Sequence, residues 1–256
     1  MGRKLAFAYS LIVYLVFLGV VVYAIGFVGN LFVPKSVDTG SSSSLWTALL
    51  VDLGLVALFA LQHSLMARAS FKRLWTHLIP KPIERSTFVL FACLALILLF
   101  WQWRPLPQPI WDVKLAWARW LLWGLFALGW LLVLAATRMI SSGHLFGLSQ
   151  VREYLRGQPA TSPEFQTPGL YRYVRHPLML GFVIAFWAIP TMTLGHLIYA
   201  SAMTGFILLG IQFEERALVQ RFGDRYREYR KRVPMLIPRL TSPRRLQEQI
   251  EKSTVS

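Results

Sequence analysis

Two pairs of charged residues flank one apolar stretch in the C-terminal half of the chain. Arg175 and His176 stand where the chain enters this stretch, and Glu214 and Glu215 stand where it leaves. If the stretch forms a helical hairpin, these opposite charges meet at one face of a membrane. A guanidinium group can bind a carboxylate through two hydrogen bonds, and carboxylates accept hydrogen bonds from hydroxyl or amino groups. The spacing therefore predicts a ligand site, and the alternative is a salt bridge that only fastens the hairpin.

The composition indicates what kind of protein positions these pairs. Of the 256 residues, 55% are hydrophobic and 15% are charged, whereas soluble domains carry about 25% charged residues. We therefore predict a polytopic membrane protein. The net charge of +15 is explained by basic loops on one side of the bilayer, so we expect no nucleic-acid partner. The single cysteine, Cys93, lies in an apolar run, which excludes an intramolecular disulfide and indicates a packing role.

Four apolar runs are each long enough to cross a hydrocarbon core, which takes roughly 20 helical residues. In chain order they cover 5–33, 45–66, 86–103 and 115–137. The second run contains Asp52 and His63, which lie near its two ends, and we expect structural or hydrogen-bonding roles for both. Tryptophans collect between the third and fourth runs, which is typical of an aromatic belt in contact with membrane lipids.

The C-terminal apolar stretch, 178–213, is too short for two full crossings, because each arm would have roughly 17 residues. Pro190 and Gly195 mark its tip, so we predict a short helical hairpin buried against the other helices. In 212–232 apolar side chains recur every three or four residues and basic side chains stand opposite them. This pattern predicts an amphipathic helix. Such a helix can lie on anionic lipid, or it can close over a bound ligand as a lid.

The predicted fold class is an all-α, polytopic membrane bundle. It has four long spans, a short C-terminal helical hairpin and a cytoplasmic amphipathic helix. Placing both termini on one side puts 23 of the 27 Lys and Arg residues there, and the side richer in them is cytoplasmic. We divide the chain into N-terminal transmembrane helices at 1–137, a core at 138–240, whose catalytic role is implied by the resemblance described next, and a polar tail at 241–256.

An ordered set of motifs runs through residues 168–238. Arg175-His176-Pro177 comes first, Gly181 follows, and the Glu-Glu pair precedes Phe-Gly-x-x-Tyr at 222–226. This set resembles the shared core of the integral-membrane methyltransferases that include isoprenylcysteine carboxyl methyltransferase and the phospholipid N-methyltransferases. Two further segments, 142–148 and 186–196, resemble the branch of that superfamily that methylates methanethiol.

The resemblance implies S-adenosylmethionine as co-substrate and no metal. It also implies contacts with this cofactor at seven positions: Arg175, His176, Gly181, Glu214, Glu215, Tyr226 and Arg230. Many relatives have a tyrosine two residues after the proline of Arg-His-Pro, whereas this chain has Met179. The role of that tyrosine is therefore not carried over.

Methylation of a thiol requires the thiolate, held in line behind the methyl group. His144, Tyr173 and His176 are the candidates for removing the proton or stabilising the anion, and Tyr171 is a further one. We favour His144, because it lies in the segment that resembles the methanethiol-methylating branch. The small-molecule substrate would then be methanethiol and the product dimethyl sulfide.

Two other functions stay open at this stage. The enzyme could methylate a larger acceptor carried by lipid, such as a prenylcysteine carboxylate or a phospholipid amine, which requires a wide opening toward the bilayer. A related protein without enzymatic activity could keep the fold and bind another ligand, such as haem, or have a structural role. The sequence leaves the oligomeric state open.

Overall fold

The computed structural model of the protein describes residues 2–41, 43–140, 146–158 and 165–238. Helices form most of this part of the chain, joined by two short strands and by 3-10 turns at Lys81–Ile83 and Gly169–Arg172. In chain order the elements are α1 (Arg3–Gly29), α2 (Leu45–Ala67), α3 (Ala69–Trp75), α4 (Glu84–Gln102), β1 (Pro109–Asp112), α5 (Ala116–Met139), α6 (Leu148–Arg156), α7 (Pro177–Trp187), β2 (Thr191–Thr193), α8 (Leu194–Phe222) and α9 (Asp224–Arg232).

In the part of the chain that the structure describes, five helices are long and apolar enough to cross a membrane: α1, α2, α4 with its preceding 3-10 turn, α5 and α8. The first four coincide with the four predicted runs to within a few residues. The protein is an integral membrane protein, as predicted. We call the end of the bundle at which the chain begins the near end, and the opposite end the far end. The charged pairs that flank the hairpin lie at the near end.

The hairpin differs from its prediction. Its first arm, α7, has only 11 residues, about 16 Å of helix, which is shorter than the roughly 30 Å hydrocarbon core. Its second arm, α8, has 29 residues and can span the core by itself. The predicted count of four long spans is therefore not confirmed. The reason is that α8 does not stop with the apolar residues but continues through Glu214 and Glu215 as far as Phe222.

Helix α7 is held against α5 by a very close crossing. A Cβ atom built on Gly181 would lie 2.6 Å from the carbonyl oxygen of Gly129 and 2.9 Å from the backbone nitrogen of Val133. Only glycine allows two helix backbones to approach this closely. This crossing fixes the height and direction of α7, and so the position of Arg175 and His176 at its start.

The tip of the hairpin is tied to the loop between α4 and α5. Strands β1 and β2 pair antiparallel, with Trp111 opposite Met192, and the backbone N–H of Gly195 donates to the carbonyl of Leu106 at 2.9 Å. The prolines after α4 do stop that helix, as predicted. They lead into a strand that the all-α prediction did not include.

Asp52 has a structural role at the far end, in agreement with the prediction. Its carboxylate is buried and accepts a hydrogen bond from the backbone N–H of Arg104 at 2.8 Å. The bond ties the start of α2 to the residues that follow α4.

Candidate active site

The near end contains a buried cluster centred on Glu215, whose side chain is only 5% exposed. One carboxylate oxygen accepts from Nε of Arg175 at 2.7 Å and lies 3.1 Å from Nε2 of His176. The other oxygen lies 3.1 Å from Nε of Arg230. Three cationic or titratable groups from two parts of the chain therefore converge on one carboxylate. Because a buried charge is costly unless it is paired, this convergence stabilises the cluster as a unit.

The sequence around the cluster explains why its parts meet. Pro177 occupies the first turn of α7, where its missing N–H costs nothing, so the two preceding residues lie just outside the helix. Gly223 has φ of 57°, a conformation that favours glycine, and here α8 ends and α9 begins. Arg230 on α9 is thereby brought back to Glu215 on α8.

Arg175 also holds the end of α9 in place. Its Nη1 donates to the carbonyl oxygens of Arg230 at 3.0 Å and Val233 at 2.6 Å, which are unpaired backbone acceptors at the helix C-terminus. The backbone N–H groups of Arg175 and His176 donate to the carbonyls of Pro234 and Met235. The segment after α9 therefore returns alongside the start of α7 and closes the cluster from one side.

Glu214 has a different environment from Glu215. Its side chain is 49% exposed, and the contact to Nδ1 of His176, at 3.5 Å, is longer than a good hydrogen bond. Together with burial, which has the larger effect, its charge raises the pKa of Tyr171. Among the described residues, the contact to His176 is the one side-chain contact of Glu214, which therefore lies at the open side of the cluster with most of its hydrogen-bonding capacity unused.

His176 lies between the two carboxylates and is buried. Burial alone would lower its pKa, but the hydrogen bonds and charges of Glu214 and Glu215 outweigh that effect and raise the pKa above its ordinary value. The imidazolium form is favoured, and this form donates from both ring nitrogens. Such a group orients the two carboxylates and is a poor acceptor for a further proton.

Aromatic side chains cover the cluster. Tyr226 is 2% exposed, and Phe165 makes ring contacts with Phe222, Tyr226 and Tyr229 at centroid distances of 5.4–5.9 Å. The hydroxyl of Tyr229 donates to the carbonyl of Tyr171 at 2.6 Å. Burial raises the pKa of Tyr226 and Tyr229, so both phenols stay neutral at physiological pH. The amphipathic helix predicted at 212–232 is broken at Gly223 into the end of α8 and α9, and its aromatic side chains fold onto the site.

Most of the predicted contact positions meet here. The structure brings together Arg175, His176, Glu214, Glu215 and Arg230, with Tyr226 packed beside them. It does not bring in Gly181, which lies at the crossing with α5, or Tyr173, whose side chain is 53% exposed. His144 and the tail at 241–256 lie outside the described residues. Met179 is partly buried against the apolar core.

Sequence reasoning named neither of two further polar groups at the near end as a site residue. Arg85, at the start of α4, carries its guanidinium 4.8 Å from the ring centre of Phe88, and His63 near the end of α2 packs against the same ring. His63 also packs against Phe206 of α8, the helix that carries Glu214. The available signal was that both lie at the near ends of their helices. Within the described residues, no three His, Cys, Asp or Glu side chains come together that could hold a metal ion; the expectation of a metal-free reaction stays a prediction.

Comparison with known proteins gives consistent matches. The NnrU protein family matches residues 51–239. The chain is 52% identical over 244 residues to methanethiol S-methyltransferase 2 of Bradyrhizobium diazoefficiens. The alignment covers 95% of this chain and 94% of the relative. The chain is 53% identical to methanethiol S-methyltransferase of Mycobacterium tuberculosis, covering 93% and 98%, and 30% identical to human Nurim, covering 65% and 66%. No solved structure matches.

Proposed function

Because the chain belongs to the NnrU protein family and groups with the methanethiol S-methyltransferases, we propose that it methylates methanethiol to dimethyl sulfide with S-adenosylmethionine as donor. The reaction takes place at the near-end cluster, within the 138–240 core. Identity of about half over nearly the whole length supports the choice of methanethiol over a lipid-borne acceptor.

One observation carries the assignment of the site. Two adjacent glutamates lie at the same cluster. The carboxylate of one is bound by other side chains of the protein, and the carboxylate of the other is accessible. Glu215 is paired with Arg175, His176 and Arg230, whereas Glu214 is half-exposed and, within the described ranges, has one long contact, to His176. A salt bridge that only fastens the hairpin needs no carboxylate besides that of Glu215. The carboxylate of Glu214 is available to a ligand.

The residues of the cluster fit the chemistry of S-adenosylmethionine. The donor carries a carboxylate and an ammonium group, ribose hydroxyls, an adenine and a sulfonium. Glu214 would accept hydrogen bonds from hydroxyl or ammonium groups, and Arg230, 45% exposed, would pair with the carboxylate. Tyr226 and the rings around Phe165 would supply an aromatic wall. When bound, S-adenosylmethionine supplies an activated methyl group on its sulfonium.

The other residues of the site would hold the ligand-facing groups in place. Arg175 and Glu215 hold α7, α8 and α9 in register, so that the ligand-facing groups keep their places. His176, favoured as the imidazolium, would fix the orientation of Glu214 and counter part of its charge. Gly181 would contribute by fixing the height of α7 against α5. His144 and Tyr173 are kept as candidates for contact with the thiol.

We further propose that the near end faces the cytoplasm. Assigned to the two ends of the bundle, 23 of the 27 Lys and Arg residues fall at the near end or in the segments attached to it, as the positive-inside rule requires. A soluble methyl donor would meet the cluster there. In this arrangement the short α7 enters the membrane from the cytoplasmic side without crossing it.

The test is dimethyl sulfide formation, measured by headspace gas chromatography on protein purified in detergent and given S-adenosylmethionine and methanethiol. The wild type should form product only when both compounds are present, and Glu214→Gln should lose most of this activity. Glu228→Gln is the matched control, because Glu228 lies on α9 and pairs with Lys231 rather than with the cluster. Wild-type protein that binds S-adenosylmethionine but forms no dimethyl sulfide would contradict the proposed reaction.

A further inference from the structure

The seam between α2 and α8 opens at the near end of the bundle. Phe206 on α8 packs against Phe59 and His63 on α2, at centroid distances of 5.4 and 5.9 Å. Phe213 lies seven residues further along α8, and because seven residues make almost two full turns, it is on the same face as Phe206. Helix α2 ends at Ala67, and the Phe213 residue is 49% exposed. Its ring therefore lies where the seam is open.

Two arginines from different parts of the chain meet at this exposed ring. The guanidinium of Arg68, the residue directly after α2, lies 5.6 Å from the centre of the Phe213 ring, and that of Arg216 on α8 lies 5.9 Å from it. Both arginine residues are exposed. A guanidinium group held over an aromatic face keeps N–H donors for an anion.

Arg68 and Arg216 differ from most basic residues of α9 in what surrounds their charge. Four basic side chains of α9 have a carboxylate oxygen within 4.0 Å: Arg227, Arg230, Lys231 and Arg232. Among the described residues, neither Arg68 nor Arg216 has such a partner. Two positive charges are therefore held at one ring without a carboxylate of the protein to balance them, and such a pair attracts anions.

The ring and its arginines lie where the lipid headgroups begin. Helix α2 has 23 residues, about 34 Å of helix, which is enough to cross a hydrocarbon core of roughly 30 Å. Arg68 directly follows the last of these residues. Toward the middle of the bilayer the surface is apolar, with Leu65 on α2 46% exposed and Leu209 on α8 63% exposed. The surface thus combines two cations at headgroup level with leucines at the level of the acyl chains.

We propose that Arg68, Phe213 and Arg216 form a binding site for an anionic phospholipid of the bilayer. The headgroup phosphate pairs with the two guanidinium groups, and an acyl chain lies along the exposed leucines of α2 and α8. A soluble anion would gain nothing from those leucines. Because the lipid contacts both helices, it holds them together where the seam is open. The lipid is neither the methyl donor nor the thiol, and its binding does not depend on the proposed function.

The test is native mass spectrometry on the full-length protein, purified in a neutral detergent without methyl donor or thiol. Dioleoyl phosphatidylglycerol and dioleoyl phosphatidylcholine are added in separate titrations, because the two lipids share their acyl chains and differ in the net charge of the headgroup. The wild type should bind one molecule of phosphatidylglycerol at concentrations too low for phosphatidylcholine to bind. Equal affinity for the two lipids would overturn the proposal.

The first variant, Arg68→Gln/Arg216→Gln, removes both charges. Its affinity for phosphatidylglycerol should fall about 25-fold, because each basic residue near an anionic lipid surface contributes about fivefold. The matched control is Arg227→Gln/Arg232→Gln, which removes the same charge from exposed arginines that have carboxylate partners. This control should bind the lipid as the wild type does. An equal loss in both double variants would mean that only net charge attracts the lipid, and this would overturn the site.

Phe213→Leu separates the site from net charge, because it keeps every charge and removes only the ring that both guanidinium groups share. Its affinity for phosphatidylglycerol should fall severalfold, and an affinity equal to that of the wild type would overturn the site. Excess inorganic phosphate should not displace the lipid, and displacement would show that the site takes a soluble anion. Melting temperatures identify a variant that fails to fold, and the single variants Arg68→Gln and Arg216→Gln then give the result.

Discussion

The two ends of the α7–α8 hairpin are closed in different ways. At the tip, Nε2 of His196 donates to the carbonyl of Phe186 at 2.9 Å, and the hydroxyl of Thr193 accepts from the backbone N–H of His196 at 3.1 Å. The tip is buried and relies on hydrogen bonds of backbone and neutral side chains, helped by the Asp38 carboxylate, to which Thr193 donates. At the base, charged side chains meet around Glu215, and Glu214 faces outward.

The difference indicates that the tip and the base of the hairpin have different roles. Backbone hydrogen bonds in a buried turn hold a shape and leave little for a ligand to bind. A charged cluster costs more to bury, and its open side keeps donors and acceptors available. The tip therefore fixes the hairpin, and the base both fixes it and presents a site.

The largest expected effect is that of Glu215→Gln. The change leaves Arg175 and Arg230 facing a neutral amide in a buried place, and breaking a buried ion pair costs about 3–5 kcal/mol. Unfolding in detergent should show this loss of stability. Glu228→Gln, an exposed carboxylate on α9, should leave the unfolding midpoint unchanged, and a Glu215→Gln midpoint equal to that of the wild type would contradict the central place given to Glu215.

Gly181→Ala should be next. Its Cβ would lie 2.6 Å from the carbonyl oxygen of Gly129, and because backbone cannot move aside easily, α5 and α7 must separate. Overpacking of this kind costs about 1–3 kcal/mol, occasionally more. Gly205→Ala on α8 is the control, since nothing lies within 4 Å of a Cβ built there. Equal unfolding midpoints for the two variants would show that the crossing is not tight.

His196→Leu tests the tip by itself. The change leaves the buried carbonyl of Phe186 without its partner, which costs about 1–3 kcal/mol. Affinity for S-adenosylmethionine, measured by calorimetry on the folded fraction, should not change. A large loss of affinity at equal folded concentration would mean that tip and base are not separate in function.

The smallest effect concerns pH. The pKa of His176 is raised in the folded protein, so its contribution to stability is complete below the unfolded-state pKa of about 6.5. It is lost as the pH rises through the raised pKa. The melting temperature of the wild type should therefore fall across that window more than that of His176→Gln. Parallel pH profiles for the two proteins would contradict the cationic role of His176.

Hydropathy predicted much of the architecture. The second run, 45–66, matches α2 at Leu45–Ala67, because a span needs only a sufficient length of apolar residues. The prediction of two hairpin arms of equal length is wrong, because α7 has 11 residues and α8 has 29. In the structure α7 ends at Trp187, a strand follows, and α8 takes all the rest. Pairing of β2 with a strand about 80 residues earlier leaves no local pattern in the sequence.

The resemblance identified the residues of the site but not their separate roles. Consecutive residues on a helix point about 100° apart, so only the rotation of α8 decides that Glu215 faces inward and Glu214 outward. His63 was assigned to an interface, because nothing in the sequence shows that three phenylalanines from α2, α4 and α8 surround it. The return of Pro234 and Met235 beside Arg175 is likewise a long-range contact.

The most direct test of the account is the affinity of Glu214→Gln for S-adenosylmethionine, measured by isothermal titration calorimetry beside its melting temperature. We expect affinity to fall sharply while the melting temperature stays close to that of the wild type, because Glu214 binds the ligand and does not hold the fold. Wild-type affinity in Glu214→Gln would contradict the assignment of the open carboxylate to the donor. A melting temperature lowered as far as that of Glu215→Gln would contradict the division between the two glutamates.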